Sequence, residues 1–159
     1  MKEVDQKEKI GLDTSYKLLL YPHRILTTPC KMVDDSSWDQ IPIIDSALRS
    51  ILARHRGVGL AAPQVGVSLR IFVAAIAGNI ETFINPAILT ADTFTNSVEG
   101  CLSIPGLTVT KRRYDNILLR WFDVNRAEQI NWFRGYSAFV LQHELDHLDG
   151  VLINKRDKK

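Results

Sequence analysis

The chain has 159 residues, 45% hydrophobic and 24% charged, which suits one globular domain with its own core and leaves no room for two of ordinary size. Its net charge of +2 is spread along the sequence apart from Lys155, Arg156, Lys158 and Lys159; without a concentrated basic patch no DNA partner is expected, and that tail reads as a solvated end. No run approaches the roughly eighteen apolar residues of a membrane span, MKEVDQKEKIG has no apolar signal core, and Cys30 and Cys101 are too few for a disulfide framework, so the expectation is an intracellular protein with no membrane partner.

Residues 1–15 are polar and aperiodic and read as a loosely ordered extension, with the domain itself at residues 16–159. The apolar stretch LLLYP, residues 18–22, opens the fold. After MVDDSS, the residues Ile41, Ile44, Leu48, Ile51 and Leu52 recur at helical spacing. Ser36 or Ser37 is the expected N-cap, Pro42 sits in the first turn where proline is tolerated, and Gly57 is the expected stop after His55 and Arg56. Four runs rich in Ile, Val, Leu and aromatics, at 69–75, 83–89, 107–109 and 117–122, are separated by Gly, Asn, Pro and Asp and predict antiparallel strands. A second helix is predicted over 137–149, stopping at Gly150; it is apolar nearly all round and therefore expected to be buried among the strands. The class predicted is α+β, with antiparallel β-sheets packed around this central helix and one further, N-terminal helix.

The central helix carries QHELDHLDG, residues 142–150, which contains His-Glu-x-x-His. Helical geometry stacks His143 over His147 on one face, where two imidazoles can grip one metal ion, and places Glu144 as a base for metal-activated water. A catalytic site of this kind needs a third protein ligand and an open position. The extended HExxHxxGxxH pattern fails at Ile153, and residues 148–159 contain no glutamate, so the third ligand is sought upstream. The best candidate is Cys101 in VEGCLSIPG, flanked by Gly100 and by Pro105-Gly106, which reads as a tight turn; a metal would deprotonate its thiol outright. Cys30, by contrast, reads as a small buried hydrophobe, His23 and His55 as surface or capping residues, and Asp146 with Arg113 as a buried pair that holds the metal helix.

GVGLAAPQ (residues 57–64), EGCLS (residues 99–103) and HELDH (residues 143–147) resemble the three signature motifs of the peptide deformylase family, in the family's order and with similar separations. The resemblance extends over roughly residues 18–153. It implies that Cys101, His143 and His147 are metal ligands and that Glu144 is the general acid and base. Gln64 matches a glutamine whose side-chain amide reaches the oxygen at the metal, and Leu102 a residue whose backbone N–H faces the formyl oxygen. Gly59 matches a glycine whose backbone meets the substrate near the formyl group. Val58, Phe139 and Val140 match residues that line the pocket for the methionine side chain, which Tyr136 and Phe139 would narrow. The activity implied is removal of the formyl group from formylmethionyl peptides or nascent chains, with release of formate. Fe(II) is the native ion the family favours, and Zn(II), Ni(II) or Co(II) suit the same ligands. The family's longer bacterial members have a C-terminal helix that contacts the ribosome; this chain resembles shorter forms, in which that contact is in question. The expected location is the cytoplasm, or an organelle in a eukaryote. Two rival readings share the site: a metallopeptidase, which lacks a protease-type third ligand here, and a non-catalytic peptide-binding metal protein.

Overall fold

Four consecutive buried residues, Ile71 to Ala74, mark the centre of the core in the computed structural model, which describes residues 15–155. The expected N-terminal extension, up to residue 14, and the basic residues beyond Lys155 lie outside the described residues. Side chains alternate across a strand, so continuous burial means that both faces of this strand are covered. Strand β2 (Ile71–Ile76) presents Ile71 and Val73 to one cluster, with the first helix, and Phe72 and Ala74 to another, with the second helix.

Strands β1 (Gly59–Ala61), β2, β3 (Asn79–Cys101), β4 (Ile104–Phe122) and β5 (Glu128–Arg134) form one antiparallel sheet in sequential order. Helix α1 (Ile41–His55) packs on one face through Ile41, Ile44, Leu48, Ile51 and Leu52, the five residues its periodicity singled out. Burying each is worth about 1.5–3 kcal/mol. Helix α2 (Gly135–Leu148) packs on the other face through Ala138, Val140, Leu141, Leu145 and Leu148. Two antiparallel-sheet faces with a buried HExxH helix and a second helix make the α+β class expected from the sequence.

Several local expectations change. Neither Ser36 nor Ser37 caps α1: both donate to the Asp34 carboxylate, at 2.7 and 2.9 Å, closing a turn of their own. A 3₁₀ turn at Trp38–Gln40 then leads into α1, with Gln40 at its N-cap. At the other end Arg56, and not Gly57, takes the left-handed conformation, φ 52°, and its N–H reaches the carbonyls of Leu52 and Ala53. Gly57 serves close packing instead, because a Cβ there would lie 2.7 Å from Leu52 Cδ1 and 2.9 Å from Leu102 Cδ1.

The strands expected at 83–89, 107–109 and 117–122 are parts of two long ones. Register shifts between Ile84 and Ala87, between Ile88 and Thr90, and between Glu99 and Cys101 bend β3 along its length. The turn between β3 and β4 falls at Leu102-Ser103, so Pro105-Gly106 lies inside β4 rather than at the turn. Gln142 ties α2 to the sheet: its side-chain carbonyl accepts from the Tyr114 N–H at 2.9 Å, and its amide donates to the Tyr114 carbonyl at 2.8 Å.

Candidate metal centre

Cys101 ends β3, and His143 and His147 stand one turn apart on the buried side of α2, so the centre forms where strand and helix meet. His143 Nε2 and His147 Nε2 are 3.2 Å apart, and His147 Nε2 is 3.4 Å from Cys101 Sγ. All three ligand atoms lie within 4.8 Å of one another. A tetrahedral ion at ordinary bond lengths would set its nitrogen ligands roughly 3.3 Å apart and a nitrogen and a sulfur roughly 3.6 Å apart. The three residues therefore fit a metal ion in spacing and in donor type, a thiolate with two imidazoles.

Electrostatics agree. Burial disfavours a charge on His143, but hydrogen bonds to Cys101 and Glu99 and the nearby Glu144 outweigh it and raise the imidazole to about 10. The site thus holds a positive charge at this point even in the metal-free chain, and an ion would displace a proton. His147 is pushed the other way, well below its ordinary range, by burial and by the charges of His143 and Arg113, which keeps it neutral as a ligand must be.

His143 is oriented by a group that sequence reasoning missed. Its Nδ1 lies 3.0 Å from Glu99 Oε1. Glu99 in turn accepts two hydrogen bonds from Arg113, at 2.7 and 2.8 Å, and Arg113 donates to Asp146 at 2.6 Å. The expected Arg113–Asp146 pair is present, with Arg113 7% and Asp146 34% exposed, but the buried partner is Glu99, at 8%. Burial alone would raise Glu99; the bonds from Arg113 and His143 outweigh it and hold the carboxyl at about 2. Glu99 and Cys101 are two apart on a strand, a spacing that is visible in the sequence.

Glu144 is buried, and its Oε2 has no hydrogen-bond partner among the described residues. Burial lifts its carboxyl to about 7; His143 opposes the rise and Glu99 adds to it. Gly59 gives it room: a Cβ at that position would overlap Glu144 Oε1 and stand 2.8 Å from its Cδ. Gln64 is locked by both ends of its amide. Its Oε1 accepts from the Ala61 N–H at 3.0 Å, and its Nε2 donates to Ser103 Oγ at 3.1 Å and faces Cys101 Sγ at 3.8 Å. Ser103, fully buried and part of the EGCLS motif, has a positioning role toward Gln64 that the sequence did not reveal.

These groups open into a pocket of about 370 Å³. Val58, Gly59, Leu102, Phe139 and Val140, all candidates from the sequence, line it, and Tyr136 joins them. Away from the centre, His23 caps a 3₁₀ turn by accepting from the Ile25 N–H at 3.3 Å, and Cys30 is buried in the core.

A buried HExxH helix facing a strand-borne cysteine at the end of an apolar pocket defines a metal-dependent hydrolase. The polypeptide deformylase family model matches residues 15–159, and the chain belongs to that family. It is 40% identical over 130 residues to peptide deformylase 1 of Clostridium perfringens, covering 80% of this chain and 88% of that one. Its fold matches the crystal structure of the peptide deformylase from Thermotoga maritima with a TM-score of 0.84 and 34% identity, over 91% of this chain and 98% of that one. It also matches a class I type b peptide deformylase from Acinetobacter baumannii with Met-Ala-Ser bound, with a TM-score of 0.81 and 26% identity, over 86% and 94% of the two chains.

Proposed function

We propose that this chain removes the N-terminal formyl group from formylmethionyl peptides and nascent chains, releasing formate. The observation that carries the reading is a buried carboxyl at the Cys/His/His cluster: Glu144 stands beside His143 on α2 and lines, with apolar side chains, a pocket suited to methionine. A divalent ion held by Cys101, His143 and His147 would supply Lewis acidity and a water acidified from about 15.7 to roughly 7.

The protein's own groups do the rest. Glu144, whose carboxyl burial raises above its ordinary range, takes the proton of the attacking water and hands it to the departing amine. The Gln64 amide, held by Ala61 and Ser103, and the Leu102 N–H donate to the oxygen that gains negative charge. Val58, Phe139 and Val140 take the methionine side chain, and Gly59 lets an extended substrate approach the backbone. A small closed space beside the reacting carbon admits the formyl hydrogen and resists an acetyl methyl.

Iron as Fe(II) is the native ion on this reading, with Zn(II), Ni(II) and Co(II) as substitutes. An iron-loaded sample then loses activity in air as iron and Cys101 oxidise, whereas indifference to oxygen favours zinc. The substrates place the enzyme where formylated chains are made, in a cytoplasm or an organelle. Formate release from a short formyl-Met peptide, with the acetyl-Met analogue alongside, tests the reading. Release from the formyl peptide alone is the expected result; no formate from a folded, metal-loaded sample would overturn it.

A further inference from the structure

Strand β5 lies at the end of the sheet away from β1, and among the described residues no strand pairs with its outer side. The Asp123 N–H donates to the Ala127 carbonyl at 3.0 Å, which fixes the alternation of the β4–β5 ladder. Gln129, Asn131 and Phe133 direct their backbone groups at β4, and Glu128, Ile130, Trp132 and Arg134 direct theirs outward. In agreement, the Trp132 N–H donates to the neighbouring Asn131 Oδ1, at 2.9 Å, rather than to a strand. An outward edge of this kind is a template for another strand.

Its side chains suit that role. Ile130 and Trp132 are 54% and 45% exposed, and among the described residues Glu128 and Arg134 form no ion pair. The strand is self-complementary about its middle residue: Glu128 and Arg134 stand three positions either side of Asn131, and Ile130 and Trp132 one position either side. We propose that β5 is a self-association edge, through which two copies of this chain pair antiparallel about a twofold axis at Asn131.

That axis sets Ile130 against the partner's Trp132 and Glu128 against the partner's Arg134, twice each, as a symmetric interface requires. Both pairs join residues whose backbone groups face outward, so each is a hydrogen-bonded pair, and the Trp132 N–H exchanges Asn131 Oδ1 for the carbonyl of the partner's Ile130. A slip of two residues one way sets Glu128 against the partner's Trp132, and the other way sets Arg134 against the partner's Ile130. Only the register centred on Asn131 pairs charge with charge and apolar with apolar. The sheet becomes continuous across both copies, while Gly59 lies on β1, at the opposite edge.

Sedimentation velocity on the metal-loaded chain, from micromolar to submillimolar concentration, tests this. A reversible dimer is expected, weakened about tenfold by E128R or by R134E, since each turns two attractive cross-strand pairs repulsive. The double variant E128R/R134E restores the wild-type association, because the charges have only changed places. Both positions are solvent-exposed and outside the catalytic machinery, so all three variants keep the activity and the circular dichroism of the parent. Amide exchange at Ile130 and Trp132 slows with concentration in the parent and in the double variant. A monomer at every concentration, a dimer indifferent to the single changes, or a double variant no better than either single would each overturn the proposal.

Discussion

Glu99 Oε1 lies 3.0 Å from His143 Nδ1, so a carboxylate on β3 sets the direction in which a histidine on α2 presents its other nitrogen. Carboxylates behind ligating imidazoles fix the ring and raise its basicity, and losing one commonly costs about 10–100-fold in metal affinity. Glu99→Gln should therefore weaken metal binding by that factor while the fold persists. Competition titration with a chromophoric chelator measures it, and an unchanged affinity would show that His143 needs no tether.

Arg113 is the counterpart of that carboxylate. Removing it in Arg113→Ala takes both guanidinium hydrogen bonds from buried Glu99 and leaves it only the His143 imidazole, and breaking a buried pair from one side typically costs about 3–5 kcal/mol. Chemical denaturation of the metal-free variant should show a loss of that order. The partly exposed Asp146 contributes the smaller share, so Asp146→Asn should cost clearly less.

The metal helix was legible in the sequence because its information is local: two histidines four apart, a glutamate between them and a glycine after the last turn. The α1 core positions were legible for the same reason. The middle of β3 was not, because TADTFTN reads as a loop, yet its residues are largely exposed and polar side chains there cost the ladder nothing. Strand β5 was missed although EQINWFR alternates, since Ile130 and Trp132 face solvent and only Phe133 is buried. Glu99 went unrecognised as the tether of His143 because the partners are 44 residues apart and only the β3–α2 packing joins them. The cap expectations at Gly57 and at Ser36 or Ser37 failed for a subtler reason: Arg56, one residue earlier, took the left-handed conformation, and the two serines closed a turn on Asp34 instead.

Gly59 and Glu144 give a steric prediction. A methyl group at position 59 must displace the Glu144 carboxylate, because the added carbon would overlap it. A misplacement near 1 Å at a reacting group can cost about 10²-fold in rate. Gly59→Ala should lower kcat by that order and destabilise the fold by about 1–3 kcal/mol through overpacking. Metal content should stay unchanged, since no ligand moves. Parallel kinetics and metal analysis check this, and wild-type turnover would mean that Glu144 has slack the geometry does not show.

Cys30 provides a pH signature away from the metal. Burial raises its thiol to about 11 from an ordinary 9.0, with Arg70 opposing in part. The unfolded chain ionises first as pH rises, so the stabilisation is complete below 9.0 and is lost between 9.0 and about 11. Denaturation midpoints of the wild type should fall more steeply across that window than those of Cys30→Ala, and Cys30 should resist alkylation at neutral pH in the folded protein. Parallel midpoint curves would contradict the assignment.

The measurement closest to the central claim is a titration of Fe(II) or Ni(II), without oxygen, into the metal-free chain while formate release from a formyl-Met peptide is followed. Activity should rise linearly and level off at one ion per chain. Glu144→Gln should bind the same single ion with turnover lower by about 10² to 10⁴, and Cys101→Ala should show no stoichiometric rise. Formate release that is independent of added ion, or undiminished in the Glu144 variant, would contradict the account.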